Sequence, residues 1–484
     1  MQEIDIALIK KRSIKGIFAL TYRTFAIQIL GITSNFALTV FLSPEIFGVY
    51  FVVSAAIAFL SYFSDIGLAA ALIQKKDDIT EEELKTTFTI QQLLVITIVI
   101  LSFLLSGFIK SFYHLDSSGI FLFQALVVSF FFSSLKTVPS IILERNLKFE
   151  KLIIPELVES VVFNIVVVVM AIKGFGITSF SAAVLARGIF GLITMYAVSP
   201  WRIRIGISKE AAKKLLSFGV PFQANSFIAL LKDDLLIAYL GKVLPLAQVG
   251  YIGFAQKWAF MPLRLIMDNI IKITFPSFSK LQDDKDLLGK AVEKSIFAAT
   301  FIIFPSLFGL IVMAPHLIKI IPRYGKWEPA LLSLAFFSLS ACLSSISTPL
   351  TNALNAIGKI KITLYLMIFW TITTWALTPL LIMRLGFNGV GISSFIISLS
   401  VVLVMYLVGR YVKFSLLPVI YPFIASIIMS IGIYFFMKAF PLSIFSILAG
   451  IALGAILYFA LVFIMARKLV FADIRMVREH VFKK

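Results

Sequence analysis

Long apolar runs separated by short polar breaks fill this chain from end to end. Fourteen runs approach or exceed the roughly 20 residues that a helix needs to cross a bilayer core. They lie at about 16–42, 48–73, 87–109, 119–143, 152–172, 177–199, 217–241, 245–271, 293–314, 329–355, 362–384, 386–409, 414–438 and 440–466. The first run is too long for a signal-peptide core and has no small-residue cleavage site after it, so it is expected to be a retained helix. No break is long enough to hold a domain. The expected fold class is therefore an all-α integral membrane protein with about 14 transmembrane helices.

Two short words recur along the pattern. GITSF (176–180) and GISSF (391–395) each follow a glycine turn and open a long apolar run, the sixth and the twelfth. FGVY (47–50) is echoed by VGY (249–251), and VPSIILERNLKF (138–149) by TPLTNALNAIGK (348–359). The three echoes keep their order and are offset by six helices. An even offset makes the copies enter the membrane in the same direction. The expectation is two parallel-repeat six-helix bundles, 1–210 and 211–413, followed by two extra helices and a basic tail in 414–484. Parallel repeats place a binding site between bundles and permit alternating access.

Composition sharpens this picture. The 484 residues are 60% hydrophobic and 14% charged, whereas soluble domains are about half apolar and a quarter charged. Cys342 is the only cysteine, and the histidines at 114, 316 and 480 are scattered. Neither set suggests a disulfide, a metal centre or a nucleophile. The net charge of +19 invites a nucleic-acid reading, but its distribution answers to the membrane. With the N-terminus inside, thirty loop and tail Lys/Arg residues fall on the cytoplasmic side and eight outside. That is the positive-inside asymmetry, and it puts both termini in the cytoplasm of a multi-pass plasma (inner) membrane protein.

Ionisable residues within spans are expensive and usually face a cavity or a partner. The eighth span, GYIGFAQKWAFMPLRLIMDN, carries Gly250, Gly253, Lys257, Arg264 and Asp268 at spacings of 3, 4, 7 and 4, on one helix face. One reading is a cationic strip that holds an anion. The plainer one pairs Arg264 with Asp268 and lets Lys257 snorkel to the headgroups. In the first span, Thr24, Gln28 and Asn35 belong to a polar stripe expected to line a cavity or pack closely, with Arg23 off that stripe near the cytoplasmic end. Arg187, central in the sixth span, is a second cavity candidate or an internal ion pair. Lys136 is nearer the cytoplasm. Asp233 and Asp234 sit inside the apolar seventh span and are candidates for Na+ or H+ coupling. Asp65, Glu156 and Glu159 are expected partners for the basic residues. The D-x-D spacing in QDDKD (282–286) reads as a solvated charge run. A basic cavity calls for an anionic substrate, and a charged headgroup on a lipid tail fits.

The ordered words LSPEIFGVY (42–50), FSDIGLAAALIQKKDDITEEEL (63–84), LERNLKFEKL (143–152), DDLLIAYLG (233–241), GYIGFAQKWAFMPLRLI (250–266), FPSFSKLQDDKDLL (275–288) and LTNALNAIGK (350–359) carry a resemblance over about 42–410. They resemble the Wzx-type polysaccharide-export flippases of the multidrug/oligosaccharidyl-lipid/polysaccharide superfamily, in the branch of colanic-acid and teichuronic-acid exporters. The resemblance implies two six-helix bundles that move an undecaprenyl-pyrophosphate-linked oligosaccharide from inner to outer leaflet, with no enzymatic step and no bound cofactor. It implies membrane lipids and other polysaccharide-assembly proteins as partners. Lipid-II flippases, similar in architecture, have cations in the first and eighth spans, which Arg23, Lys257 and Arg264 match in place. In those relatives an acidic residue of the seventh span helps hold sodium, a part open to Asp233 or Asp234. Two rival readings are a cation-coupled multidrug exporter of the same superfamily, which should have an acidic cavity, and a glycan polymerase or ligase, which should have a larger outer loop than 315–329.

Overall fold

The computed structural model describes residues 6–465 except Asp65 and Lys76; the side chains of residues 6–23, 221–222 and 224–233 lie outside the description. The described residues form helices and no strand. They gather into two compact units that divide after Gly250.

The first unit contains α1 (Ile6–Phe41), α2 (Pro44–Ser61), α3 (Leu68–Gln74), α4 (Glu81–Leu104) and α5 (Ser106–Phe112). It continues with α6 (Ser117–Ser134), α7 (Thr137–Arg145), α8 (Phe149–Ile172), α9 (Thr178–Val198) and α10 (Lys209–Val243). The division falls inside α11 (Leu246–Lys280). The second unit then runs through α12 (Lys285–Ile320), a 3-10 turn (Gly325–Ala330), α13 (Leu331–Ala356) and α14 (Ile360–Leu385). It ends with α15 (Asn388–Ser398), α16 (Val401–Gly409), α17 (Leu417–Ala439) and α18 (Ile444–Met465).

Each of the fourteen expected spans corresponds to helix. Twelve of the described helices are long and apolar enough to cross a membrane, so this is a multi-pass membrane protein. The expected count of fourteen adds α10 and α11, which are 35 residues each but are diluted by polar and charged residues and fall outside the twelve. Some expected spans are broken. The fourth is α6 and α7 with a break at Leu135–Lys136, where the Tyr196 hydroxyl of α9 donates to the Leu135 carbonyl at 3.1 Å. The twelfth is α15 and α16, and the Trp370 indole of α14 donates to Ser400 Oγ at the break, 2.8 Å. Side chains from neighbouring helices thus satisfy groups that a broken helix leaves open in lipid.

The caps explain several of the charged words. Thr80 and Glu83 close a capping box on α4, and Glu83 also pairs with Lys75 at 2.9 Å. Arg145 at the end of α7 donates to the Leu72 carbonyl at 3.1 Å and to those of Lys75 and Asp77. Two of the resemblance-bearing words therefore meet as a loop clamp. In the QDDKD run, Asp284 caps α12 by accepting from the Asp286 and Leu287 amides, at 3.1 and 2.9 Å.

The repeated words occupy matching places. GITSF begins at Gly176 and leads into α9 after Gly174, both glycines at positive φ, and GISSF lies in α15 after Gly386, also at positive φ. The echo FGVY/VGY is joined through space. A Cβ at Gly48 would overlap the Leu246 carbonyl and lie 3.1 Å from the Gly250 amide. A Cβ at Gly250 would overlap the Pro44 carbonyl and lie 3.2 Å from the Gly48 amide. The contact is reciprocal under the echo's own offset, as in an isologous interface.

The contact division after Gly250 differs from the 210/211 boundary expected from the repeat, because α10 packs on α2, α3 and α4. Gly67 meets the backbone of Gly219, Gly241 leaves room for Val52, and Gln223 Nε2 donates to the Tyr62 carbonyl at 3.0 Å. Two further helices, α17 and α18, follow α16. They dock on α12, where the Tyr458 hydroxyl donates to the Phe301 carbonyl at 2.7 Å over a core that includes Met429, Ile433 and Met437.

Gly48→Ala and Gly250→Ala should each lower the melting temperature in detergent, by the equivalent of about 1–3 kcal/mol of overpacking. The double variant should cost less than the sum of the singles, because either methyl forces the same separation. Fluorescence-detected size-exclusion melting of the three variants measures this.

Candidate functional site

Two charged places stand out, one in each unit. The first surrounds Glu159. Helix α8 carries Leu152, Pro155, Glu156, Glu159, Ser160, Phe163 and Asn164 at steps of three and four, so one face of an otherwise apolar helix is largely polar. Opposite Glu159, α9 presents Gly191, where a Cβ would collide with the carboxylate. A glycine here is the condition for a carboxyl group to sit between α8 and α9.

Glu159 holds two cations. Lys136, at the break between α6 and α7, pairs with Oε1, and Arg187 Nε lies 3.4 Å from Oε2. The Lys136 and Glu159 side chains are each only 12% exposed, whereas that of Arg187 is 54% exposed. A lone charge at this depth is penalised by several kcal/mol, and the opposite charge offsets this only when hydrogen bonds complete the pair. Around the triad lies a pocket of about 630 Å³ lined also by Glu144, Glu156, Ser140, Phe163 and Asn164.

Arg187 thus forms the internal ion pair and lines a pocket as well. That pocket is not the cationic one expected. Lys136 and Arg187 stand against three carboxylates, because helices α7 and α8 bring Glu144, Glu156 and Glu159 to the same space.

The second place is α11. Lys257, Arg264 and Asp268 are all exposed along one face, while Ala255, Ala259 and Met267 are buried on the other side. Spacings of seven and four return each side chain to nearly the same azimuth. Among the described residues, no ion pair within 4.0 Å joins Arg264 to Asp268 or engages Lys257. The pairing alternative for Arg264 and Asp268 is therefore not realised, and two cations remain open on the surface of their own unit.

The polar stripe of α1 grades along its length. Thr24 and Gln28 are half-buried, whereas Asn35 and Thr39 are buried. Asn35 Oδ1 has no hydrogen-bond partner among the described residues. The upper stripe is therefore packed and does not line open space, and α1 rests on α8. Asp234 is half-buried in α10. The side chains of Arg23 and Asp233, and all of Asp65, lie outside the described residues.

Sequence reasoning named Glu156 and Glu159 only as partners for bases. It passed over Glu144, Phe163 and Asn164, although the period of α8 continues through 163 and 164 in the same register.

The described helices form a membrane bundle with ionisable groups inside its spans, as in membrane transporters. The chain belongs to the polysaccharide biosynthesis protein family, whose profile matches residues 37–332. It is 22% identical over 447 residues to the succinoglycan biosynthesis transport protein ExoT of Rhizobium meliloti (strain 1021), covering 88% of each chain. It is 24% identical over 377 residues to the lipopolysaccharide biosynthesis protein WzxC of Escherichia coli (strain K12), covering 75% of this chain and 74% of that one. Its fold matches that of the lipid II flippase MurJ in an inward closed conformation, with a TM-score of 0.75 at 17% identity over 93% of this chain and 99% of that one.

Glu159→Leu should destabilise the protein by about 3–5 kcal/mol, because Lys136 is left charged and half-encased. Lys136→Met combined with Glu159→Leu should recover most of that loss. Melting temperatures of the single and double variants in the same detergent give the coupling directly.

Proposed function

We propose that this protein is a flippase that carries an undecaprenyl-pyrophosphate-linked glycan repeat unit from the inner to the outer leaflet for cell-surface polysaccharide export. The observation that carries the reading is the open cationic face of α11. Lys257 and Arg264 are exposed, without an ion-pair partner among the described residues, and on one helical face, in a family devoted to polysaccharide biosynthesis. A pyrophosphate needs such a face: a guanidinium offers a planar fork to two phosphate oxygens and an ammonium a compact charge. A lipid tail can stay in the bilayer while the charged head crosses. Arg23 and Arg187 are the further cations assigned to the headgroup, and Thr24, Gln28 and Asn35 the polar groups of the first span.

The protein works in the plasma (inner) membrane with both termini in the cytoplasm, the side that the Lys/Arg excess marks. It performs no bond chemistry and holds no cofactor. Asp233, Asp234 and Asp65 are the candidates through which Na+ or H+ movement drives the cycle. Other polysaccharide-assembly proteins supply and collect the lipid. An exporter of cationic drugs would place carboxylates where α11 presents Lys257 and Arg264.

The test uses vesicles reconstituted with the full chain and a fluorescent lipid-linked glycan, and follows glycan exposure to a lectin on the far side. Wild-type protein should transfer the probe. Lys257→Gln or Arg264→Gln should slow transfer by about tenfold or more, as expected when a charge-assisted contact of roughly 1.5–3 kcal/mol is lost. Wild-type protein that leaves the probe in place, with its melting temperature intact, would refute the reading.

A further inference from the structure

The pocket around Glu159 shares only Arg187 with the cations assigned to the headgroup, and its own chemistry is different. It is lined by helices of the first unit and measures about 630 Å³, within the range of small-molecule sites. Its charges nearly cancel: Lys136 and Arg187 against Glu144, Glu156 and Glu159. A second anion would meet three carboxylates, and a bulky organic cation would meet an ammonium and a guanidinium. A neutral ligand meets neither penalty.

The unused hydrogen-bonding groups point the same way. Glu144 Oε1 accepts from the Ser140 hydroxyl at 3.1 Å, which leaves the other carboxylate oxygen free to accept. Asn164 Nδ2 donates to the Ser160 carbonyl at 2.7 Å and lies 3.4 Å from its hydroxyl, so Asn164 Oδ1 has no partner among the described residues. Arg187 uses only Nε on Glu159, and its two terminal nitrogens have no partner among the described residues. The walls therefore offer free acceptors and free donors together. Phe163 adds an aromatic face, whose negative quadrupole attracts polarised C–H groups. A neutral ring with many hydroxyls, each both donor and acceptor, satisfies this set. Few other uncharged ligands do.

We propose that this pocket is a glycan subsite, in which one sugar of the carried lipid is held by Glu144, Asn164 and Arg187 against Phe163. The inference rests on the flippase reading and deepens it. The sugar is read in the first unit by hydrogen bonds to its hydroxyls. The Lys136–Glu159–Arg187 triad acts on the sugar through position. It fixes Arg187 so that its terminal nitrogens, and not a mobile charge, meet the ligand. Discrimination among sugars then follows from groups left unpaired when a hydroxyl is missing or inverted, which is how polar sites reject near-isosteres.

The test uses full-length protein in nanodiscs and four lipid probes: undecaprenyl pyrophosphate alone, and the same lipid bearing glucose, galactose or N-acetylglucosamine. Dissociation constants are measured for each. Wild-type protein should bind at least one glycosylated probe about tenfold more tightly than the bare lipid, the effect of one or two net hydrogen bonds. Asn164→Ala and Glu144→Ala should erase that increment and leave the affinity for bare undecaprenyl pyrophosphate unchanged. Phe163→Ala, which alters no charge, should do the same, and melting temperatures confirm that each variant is folded. The inference is overturned if no sugar tightens wild-type binding, or if the variants weaken bare and glycosylated probes equally. If wild-type protein binds none of the four lipids, the flippase reading itself fails and the subsite falls with it. Lys257→Gln separates the two ideas, since it should weaken all four probes by a common factor.

Discussion

A charge set among apolar helices must find an opposite charge, a hydrogen-bond partner or water, and the first unit is organised around that requirement at Glu159. The carboxylate reaches Lys136 on the α6–α7 break and Arg187 on α9, so three helical segments are tied at one point. Gly191 gives up a side chain to admit it. The break at Leu135–Lys136 in turn depends on Tyr196, whose hydroxyl takes up the loose carbonyl. Each of these features is unfavourable alone in lipid, and each is supported by the next.

The same requirement separates the two charged places by role. Around Glu159 the charges are mutually satisfied, and what remains is a nearly neutral lining of mixed donors and acceptors. On α11 the cations are left open. A carrier of a lipid with an anionic link and a neutral, hydroxyl-rich head needs both kinds of surface. Close backbone contact supplies the remaining order: Gly48 against Gly250, and Gly67 against Gly219, bring helices together without side chains between them, the small-residue packing by which membrane helices associate.

Much of this was legible before any coordinates. The apolar runs marked every long helix, since a span of lipid fixes the length of a helix that crosses it. The spacing of Lys257, Arg264 and Asp268 placed them on one face, since helical azimuth depends on sequence separation alone. Breaks within spans were invisible. The fourth run carries Lys136 and Pro139 and the twelfth Ser398 and Ser400, but polar residues also occur in unbroken spans, and the Tyr196 and Trp370 side chains that meet the two breaks come from neighbouring helices. The words around Lys75 and Arg145, which carry part of the family resemblance, clamp a loop.

The sequence alone determined that the chain crosses the membrane many times, and its Lys/Arg asymmetry and recurring words set the expectations of orientation and repeat. These are properties of composition, period and order, and they survive any arrangement of the helices. Tertiary structure decided which charges meet. Lys136 and Arg187 stand 23 and 28 residues from Glu159 along the chain, on separate helical segments whose relative rotation no local period encodes. That rotation made Arg187 both an ion-pair partner of Glu159 and a wall of a mixed polar pocket, whereas the sequence left it between a cavity and an internal ion pair. It left Lys257 unpaired as well, because ion pairs form where packing brings the partners within a few ångströms.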